Sequence, residues 1–257
     1  MECKYNILRL RAGGKGSFDM NGFEGKVIVF DGDSICHGGS RYPERERGWA
    51  ARVGNSLGME WYNYARGGGT VTAEMYAEST GEARHWISRY VDVIREKHPT
   101  LDYLILEGGV NDADLLEKLP ERYGSLDITD YSGNYDDTTF TGALESLFYK
   151  AINYYPKAKI GFIIGHKMGR SKIGFGAENN RRRYFLRVID VCKKWGIPYI
   201  DLWESSPVNP LLPCYYDSSL DVDENFEAGY AYSDGQHLTA AGYDIVSSAI
   251  KAWVCSL

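Results

Sequence analysis

The stretch Val27-Ile28-Val29-Phe30-Asp31-Gly32-Asp33-Ser34-Ile35 runs four apolar residues straight into an acidic, glycine-containing turn that ends in a serine. An apolar run of this length without polar alternation is the signature of a strand covered on both faces. A serine at the C-terminal end of such a strand, opening into a helix, lies where α/β sheets bind ligands. The first backbone N–H groups of that helix also favour a negative charge. A plainer account treats Asp33 and Ser34 as helix N-caps, a position both residue types favour.

Four more runs of strand length lie outward from this one, at residues 61–64, 103–106, 160–164 and 199–202. Helical spacing fills the intervals. Ile87, Tyr90, Val91 and Ile94 recur at i, i+3, i+4 and i+7. So do Leu144, Leu147, Phe148 and Ala151, then Phe185, Val188, Ile189 and Cys192, and finally Val246, Ala249, Ile250 and Trp253. Residues 48–57 read as the first helix. Strands alternating with amphipathic helices mean βαβ units and a parallel sheet. The expected fold is therefore α/β: a three-layer α/β/α sandwich, flavodoxin-like, with a five-stranded parallel sheet of order 2-1-3-4-5. Residues 1–25 read as an irregular arm or short hairpin and 26–257 as one domain. The connections 113–140, 167–179 and 204–233 are longer than this fold needs, and long connections commonly carry function.

The 257 residues carry a net charge of −6, which argues against nucleic acid or an anionic membrane as a partner. No run approaches the length of a membrane-spanning helix, so no membrane insertion is expected. The N-terminal residues lack the apolar core of a signal peptide, as expected of a cytoplasmic protein. The five cysteines are scattered and form no Cys/His cluster, so neither a disulfide framework nor a metal site is expected. No cofactor is called for.

Four motifs could do chemistry. The first is Asp31-Gly32-Asp33-Ser34-Ile35 after strand one. The second is Asn63-Tyr64-Ala65-Arg66-Gly67-Gly68-Gly69-Thr70 after strand two, where glycine lets backbone N–H groups approach a ligand. The third is Glu107-Gly108-Gly109-Val110-Asn111-Asp112 after strand three, where the Asn side chain can donate to a developing oxyanion. The fourth is Asp234-Gly235-Gln236-His237 before the last helix. His suits proton shuttling near neutrality, and an Asp can hold its tautomer. Each motif alone has an ordinary reading as a turn or cap. Together they fall on one rim of the expected sheet, with Ser34 and Asn111 flanking its switch point.

At these residues the chain resembles the SGNH hydrolases, also called GDSL esterases/lipases, from residue 26 to about 254. It departs from them at Ala65, where many members carry Gly, and at Cys36, where a hydroxyl residue is frequent. The resemblance implies that Ser34 is a nucleophile, His237 its base and Asp234 the residue that orients His237. It further implies an oxyanion hole made by the N–H groups of Ser34 and Gly68 and the side chain of Asn111. The expected activity is hydrolysis of a small O-acyl ester, with deacetylation of a carbohydrate or glycoside favoured by polar, Tyr-rich connections (Tyr123, Tyr131, Tyr135, Tyr215, Tyr216, Tyr230, Tyr232). A lipase or lysophospholipase-type esterase and an acyltransferase are close variants. Asp33 reads as support for its loop. With His166, at the end of strand four, it is also a candidate substrate contact.

Two rivals come from other classes. Asp31-Gly32-Asp33 resembles the opening of haloacid-dehalogenase-type phosphatases, with Asp31 as nucleophile, Asp33 as acid and bound Mg²⁺. Ile35 and the Glu107-Gly108-Gly109 end of strand three do not fit that pattern. A non-catalytic binding module on the same fold is the other rival. The remaining singled-out residues have plain readings: His37 as a rim or packing residue, His85 and His98 as solvated, and Arg181-Arg182-Arg183 as a solvated helix start.

Overall fold

The computed structural model describes residues 22–38, 48–168 and 180–257. Most of the arm expected over residues 1–25, and most of the connection 167–179, lie outside the described residues. In chain order the described elements are β1 (Val27–Asp31), α1 (Ser34–His37), α2 (Trp49–Leu57), β2 (Glu60–Asn63), α3 (Ile87–Lys97), β3 (Tyr103–Glu107) and α4 (Val110–Leu115). They continue with α5 (Phe140–Tyr154), β4 (Lys159–Ile164), α6 (Asn180–Trp195), β5 (Tyr199–Asp201), α7 (Leu202–Ser205), α8 (Val222–Glu227) and α9 (Ala240–Ser256).

The five strands form one parallel sheet of order β2-β1-β3-β4-β5, the order expected from the sequence. Successive strand residues point to opposite faces. Val29, Leu104, Leu106, Phe162 and Ile164 enter one core with α3, α4, α5 and α6. Ile28, Phe30, Tyr103, Ile105 and Ile163 enter the other, with α2 and α9. The sheet is thus buried on both sides, which is why its strands read as unbroken apolar runs.

Helix periodicity translates directly into these cores. Leu144, Leu147, Phe148 and Ala151 of α5 have no accessible surface. Burying each of the larger side chains contributes about 1.5–3 kcal/mol. Thr139 starts this helix by accepting the Gly142 N–H on its side chain, and Thr239 starts α9 by accepting that of Gly242. The buried stripe of α9 is Tyr243, Val246, Ile250 and Val254. Ala249 and Trp253 from the expected stripe are only half-buried.

The long connections are not bare loops. Residues 113–140 include the end of α4 and two 3-10 turns, Leu116–Lys118 and Pro120–Tyr123. Residues 204–233 hold α8, which Asp221 and Glu224 start with a reciprocal capping box. The tyrosines of these segments largely pack. Tyr232 is buried, and Tyr123 lies against Phe140 beneath the guanidinium groups of Arg183 and Arg187. Tyr131 and Tyr135 sit by Trp195 and Lys194. No helix among the described residues is long and apolar enough to cross a membrane.

Candidate active site

Strand β1 delivers Ser34. The Asp31 side chain accepts the Gly32 N–H at 2.9 Å, and the chain turns. Asp33 then caps α1, its Oδ1 accepting the Ile35 N–H at 2.8 Å. Ser34 is therefore the first residue of a four-residue helix. The far side of α1 is tied down by the Tyr243 hydroxyl of α9, which donates to the Ile35 carbonyl at 3.0 Å.

His237 arrives from the other end of the chain on a tight turn. Asp234 Oδ1 accepts the backbone N–H groups of Gln236 and His237 at 2.9 and 2.7 Å. Its Oδ2 lies 2.8 Å from His237 Nδ1. His237 Nε2 lies 2.9 Å from Ser34 Oγ, across 203 residues of sequence. Burial alone would raise the Asp234 carboxyl, but the imidazole and the two backbone N–H groups outweigh it and hold it well below the usual carboxylate range. An ionised Asp234 accepts the proton on Nδ1, which leaves Nε2 as an acceptor for the Ser34 hydroxyl. Ser34 is 4% exposed and His237 9%, so each keeps a small accessible surface.

The second and third motifs close on the same turn. The Arg66 N–H donates to the Gly32 carbonyl at 3.0 Å. A Cβ on Gly69 would lie 3.0 Å from the Gly32 carbonyl oxygen and 3.4 Å from Asp33 Cα, so the approach favours a glycine. Gly68 has φ +74°, and its carbonyl accepts from Arg84 Nη1 at 3.0 Å. Asn111 donates one amide hydrogen to the Gly69 carbonyl at 2.8 Å, leaving its second hydrogen for another acceptor. Asp112 ties these two motifs together by accepting the N–H groups of Val71 and Thr72 at 2.9 and 2.8 Å. Burial, outweighing those bonds, pushes its carboxyl up to about 6.

Ser34, Asp234 and His237 are thus in direct contact, and the Gly68 and Asn111 segments pack on the Ser34 turn. Asp33 and His166 adjoin this cluster but are closed off from any substrate. Neither has accessible surface, and His166 Nε2 bonds the Gln236 carbonyl at 3.0 Å. Burial lowers His166 to about 4, so it is neutral at pH 7 and braces the His237 turn from behind. Asp31 is fully buried and lies 2.7 Å from His85 Nε2, so no phosphate ester can reach it and the phosphatase reading fails.

Other sequence readings also need correction. The His85 side chain is 4% exposed, not solvated, and His98 is half-buried against the Tyr64 hydroxyl at 2.8 Å. Arg181 has no accessible surface. It grips Asp114 through Nε and Nη2 and reaches Gln236 Oε1 at 2.9 Å. Arg182 pairs with Asp201 and Glu204. Arg183 is exposed, as expected, whereas Arg181 and Arg182 look solvated by composition and only their acidic partners on other elements show otherwise. Glu107, at the head of the third motif, is fully buried, and no role for it follows from the sequence. The available signal was an acidic residue ending an otherwise apolar strand.

The model of the GDSL-like lipase/acylhydrolase family matches residues 30–245. The chain belongs to the GDSL-like lipase/acylhydrolase family. Membership makes this GDSL-family chain a serine ester hydrolase. Among curated proteins none matches it. Solved structures share its fold at low identity. A Lactobacillus plantarum protein is 19% identical with a TM-score of 0.63, covering 91% of this chain and 98% of its own. The M. smegmatis aryl esterase is 15% identical with a TM-score of 0.60, covering 90% and 99%. Est24, a carbohydrate acetylesterase from Sinorhizobium meliloti, is 13% identical with a TM-score of 0.58, also covering 90% and 99%.

Proposed function

We propose that this GDSL-family hydrolase cleaves a small O-acyl ester through Ser34, His237 and Asp234, and that acetylated carbohydrates are its substrate class. The observation that carries the mechanism is the unbroken chain from Ser34 Oγ to His237 Nε2 at 2.9 Å and from Nδ1 to Asp234 at 2.8 Å. Ser34 Oγ attacks the ester carbonyl carbon while its proton passes to His237 Nε2. The carbonyl oxygen becomes an oxyanion, held by the N–H groups of Ser34 and Gly68 and the free amide hydrogen of Asn111. Collapse of the intermediate breaks the bond to the alcohol oxygen, which takes the proton from His237. His237 then deprotonates a water that attacks the acyl-serine, and collapse returns the acid and the free Ser34.

Support for a sugar ester comes from the rim and from one structural neighbour. Tyr216, in the connection that leads to the His237 turn, is half-buried, and burial followed by the Asp234 charge raises its phenol. Tyrosine rings stack readily on sugar faces. The S. meliloti neighbour is named a carbohydrate acetylesterase.

The test is fluorophosphonate labelling followed by peptide mapping. The adduct is expected on Ser34, absent from His237→Ala, and indifferent to a metal chelator. Labelling at another residue, or none of the folded protein, refutes the mechanism. Better turnover of long-chain lipid esters than of acetylated sugars refutes the substrate class alone.

A further inference from the structure

A pair of acidic side chains lies behind Ser34 and takes no part in the reaction as written. Glu107 is the last residue of β3 and Asp33 caps α1. β1 and β3 are neighbours in the sheet, with Asp31 opposite Leu106, so the two turns meet across 74 residues of sequence. Neither residue has accessible surface. Glu107 Oε2 accepts the Asp33 N–H at 3.2 Å, and Asp33 Oδ1 accepts the Ile35 N–H at 2.8 Å. The other two oxygens, Glu107 Oε1 and Asp33 Oδ2, are also buried, and no donor among the described residues reaches either. Yet the two carboxyl groups are hydrogen-bonding neighbours of each other.

Two ionised carboxylates cannot share such a site without severe repulsion and loss of hydration. One shared proton supplies the missing donor and removes the repulsion. The surroundings assign it to Glu107. Burial, then the Asp33 charge, push the Glu107 carboxyl well above the usual range and outweigh the Asp33 and Cys36 N–H groups, which favour its ionised form. Burial raises Asp33 as well, but the Ile35 N–H, the contact with Glu107 and the nearby His237 and Arg181 all favour its ionised form. The other ionisable groups facing the pair are Asp31 of β1, Cys36 of α1, Asp112 of α4 and Tyr243 of α9. None adds a positive charge to stabilise a second carboxylate. The fit is tight: a Cβ on Gly32 would lie 2.9 Å from Glu107 Oε2 and 2.8 Å from Cys36 Cβ.

We propose that Glu107 is a positioning residue, held as a neutral carboxylic acid that donates its proton to the Asp33 carboxylate and so braces the Ser34 turn with a single negative charge. Its effect on turnover rests on the Ser34–His237 reading; its protonation state does not.

Two experiments on the full chain separate those parts. In wild-type protein carrying ¹³C-labelled glutamate, one side-chain carboxyl resonance should stay in its protonated position through neutral pH. If every glutamate titrates in the ordinary range, the proposal is overturned whether or not the protein is an esterase. The second is kinetic. Glu107→Gln keeps the shape and the donor, so kcat/KM should stay within about threefold of wild type, with the acidic limb of its pH profile unmoved. Glu107→Ala leaves Asp33 without that donor and should lose about 10- to 100-fold, mostly in kcat. A fall of that limb by about half a pH unit or more in Glu107→Gln would mean that a negative charge had been removed from beside His237, and would overturn the proposal. So would equal losses in folded Glu107→Gln and Glu107→Ala, or no loss in either.

Discussion

Replacing Asp234 by Asn is the sharpest probe of the proposed mechanism, because the geometry dictates how the amide must sit. Asp234 Oδ1 accepts two backbone N–H groups, at 2.9 and 2.7 Å, while Oδ2 faces His237 Nδ1 at 2.8 Å. An asparagine has one acceptor oxygen. Turned towards the imidazole, that oxygen leaves an NH₂ group facing two N–H donors in a largely buried turn. Each donor left without a partner costs about 1–3 kcal/mol, so this rotamer loses. The oxygen therefore stays on the backbone and the NH₂ group points at Nδ1. Nδ1 must then accept, which moves the ring proton to Nε2. That nitrogen can no longer take the Ser34 proton. Loss of the correct tautomer should lower kcat by about 10³–10⁴, equivalent to about 4–5.5 kcal/mol of barrier. KM for a simple acetyl ester should change little, since Asp234 does not touch substrate. The turn survives, so thermal unfolding should shift only slightly. Steady-state hydrolysis of p-nitrophenyl acetate alongside a melting curve provides both readouts. A folded Asp234→Asn variant within about tenfold of wild-type kcat would refute the assignment.

Three further outcomes follow from the same geometry. Asn111→Ala removes the side-chain donor proposed for the oxyanion and should cost about 10²–10³ in kcat, measured on the same ester; a change confined to KM would contradict that role. Gly68→Ala puts a Cβ 2.8 Å from Arg84 Nη1 on a residue with φ +74°, so it should destabilise by about 1 kcal/mol and displace the N–H proposed to bind the oxyanion. Chemical unfolding and kcat should therefore both fall, and wild-type values of both would count against the close packing at that turn. Asp112 holds its proton up to about 6, against an ordinary 3.8. The folded state binds that proton more tightly than the unfolded chain, so its contribution to stability is full below about 3.8 and is lost as the pH rises through about 6. The stability of wild type relative to Asp112→Asn should thus shrink between about pH 4 and pH 7 in urea titrations, and a constant or growing difference would rule out the shift.

Much of the site was legible because its motifs are local. Asp33 is one residue from Ser34 and caps the helix that presents it. Asp234 and His237 share one turn, so three residues of spacing carry their contact. The capping box of α8 was equally available, in Asp221 and Glu224, within a segment that otherwise reads as loop. Outside the four motifs, two residues whose partners lie far along the chain read differently in the sequence. His85 looks like a surface histidine until Asp31 is placed beside it, 54 residues away. Arg181 looks solvated until Asp114 and Gln236 enclose it.

From the chain alone came the strand periodicity, the order of βαβ units and the residue types able to transfer a proton to and from an ester. These depend on spacing within a single element or turn, and on the apolar runs that a sheet covered on both faces demands. Tertiary structure decided which charges are buried and which neighbours they meet. Glu107 and Asp33 face each other only because β1 and β3 pair in parallel with Asp31 opposite Leu106. Burial and through-space contact, unlike periodicity, are properties of how the elements assemble, and no local pattern encodes them.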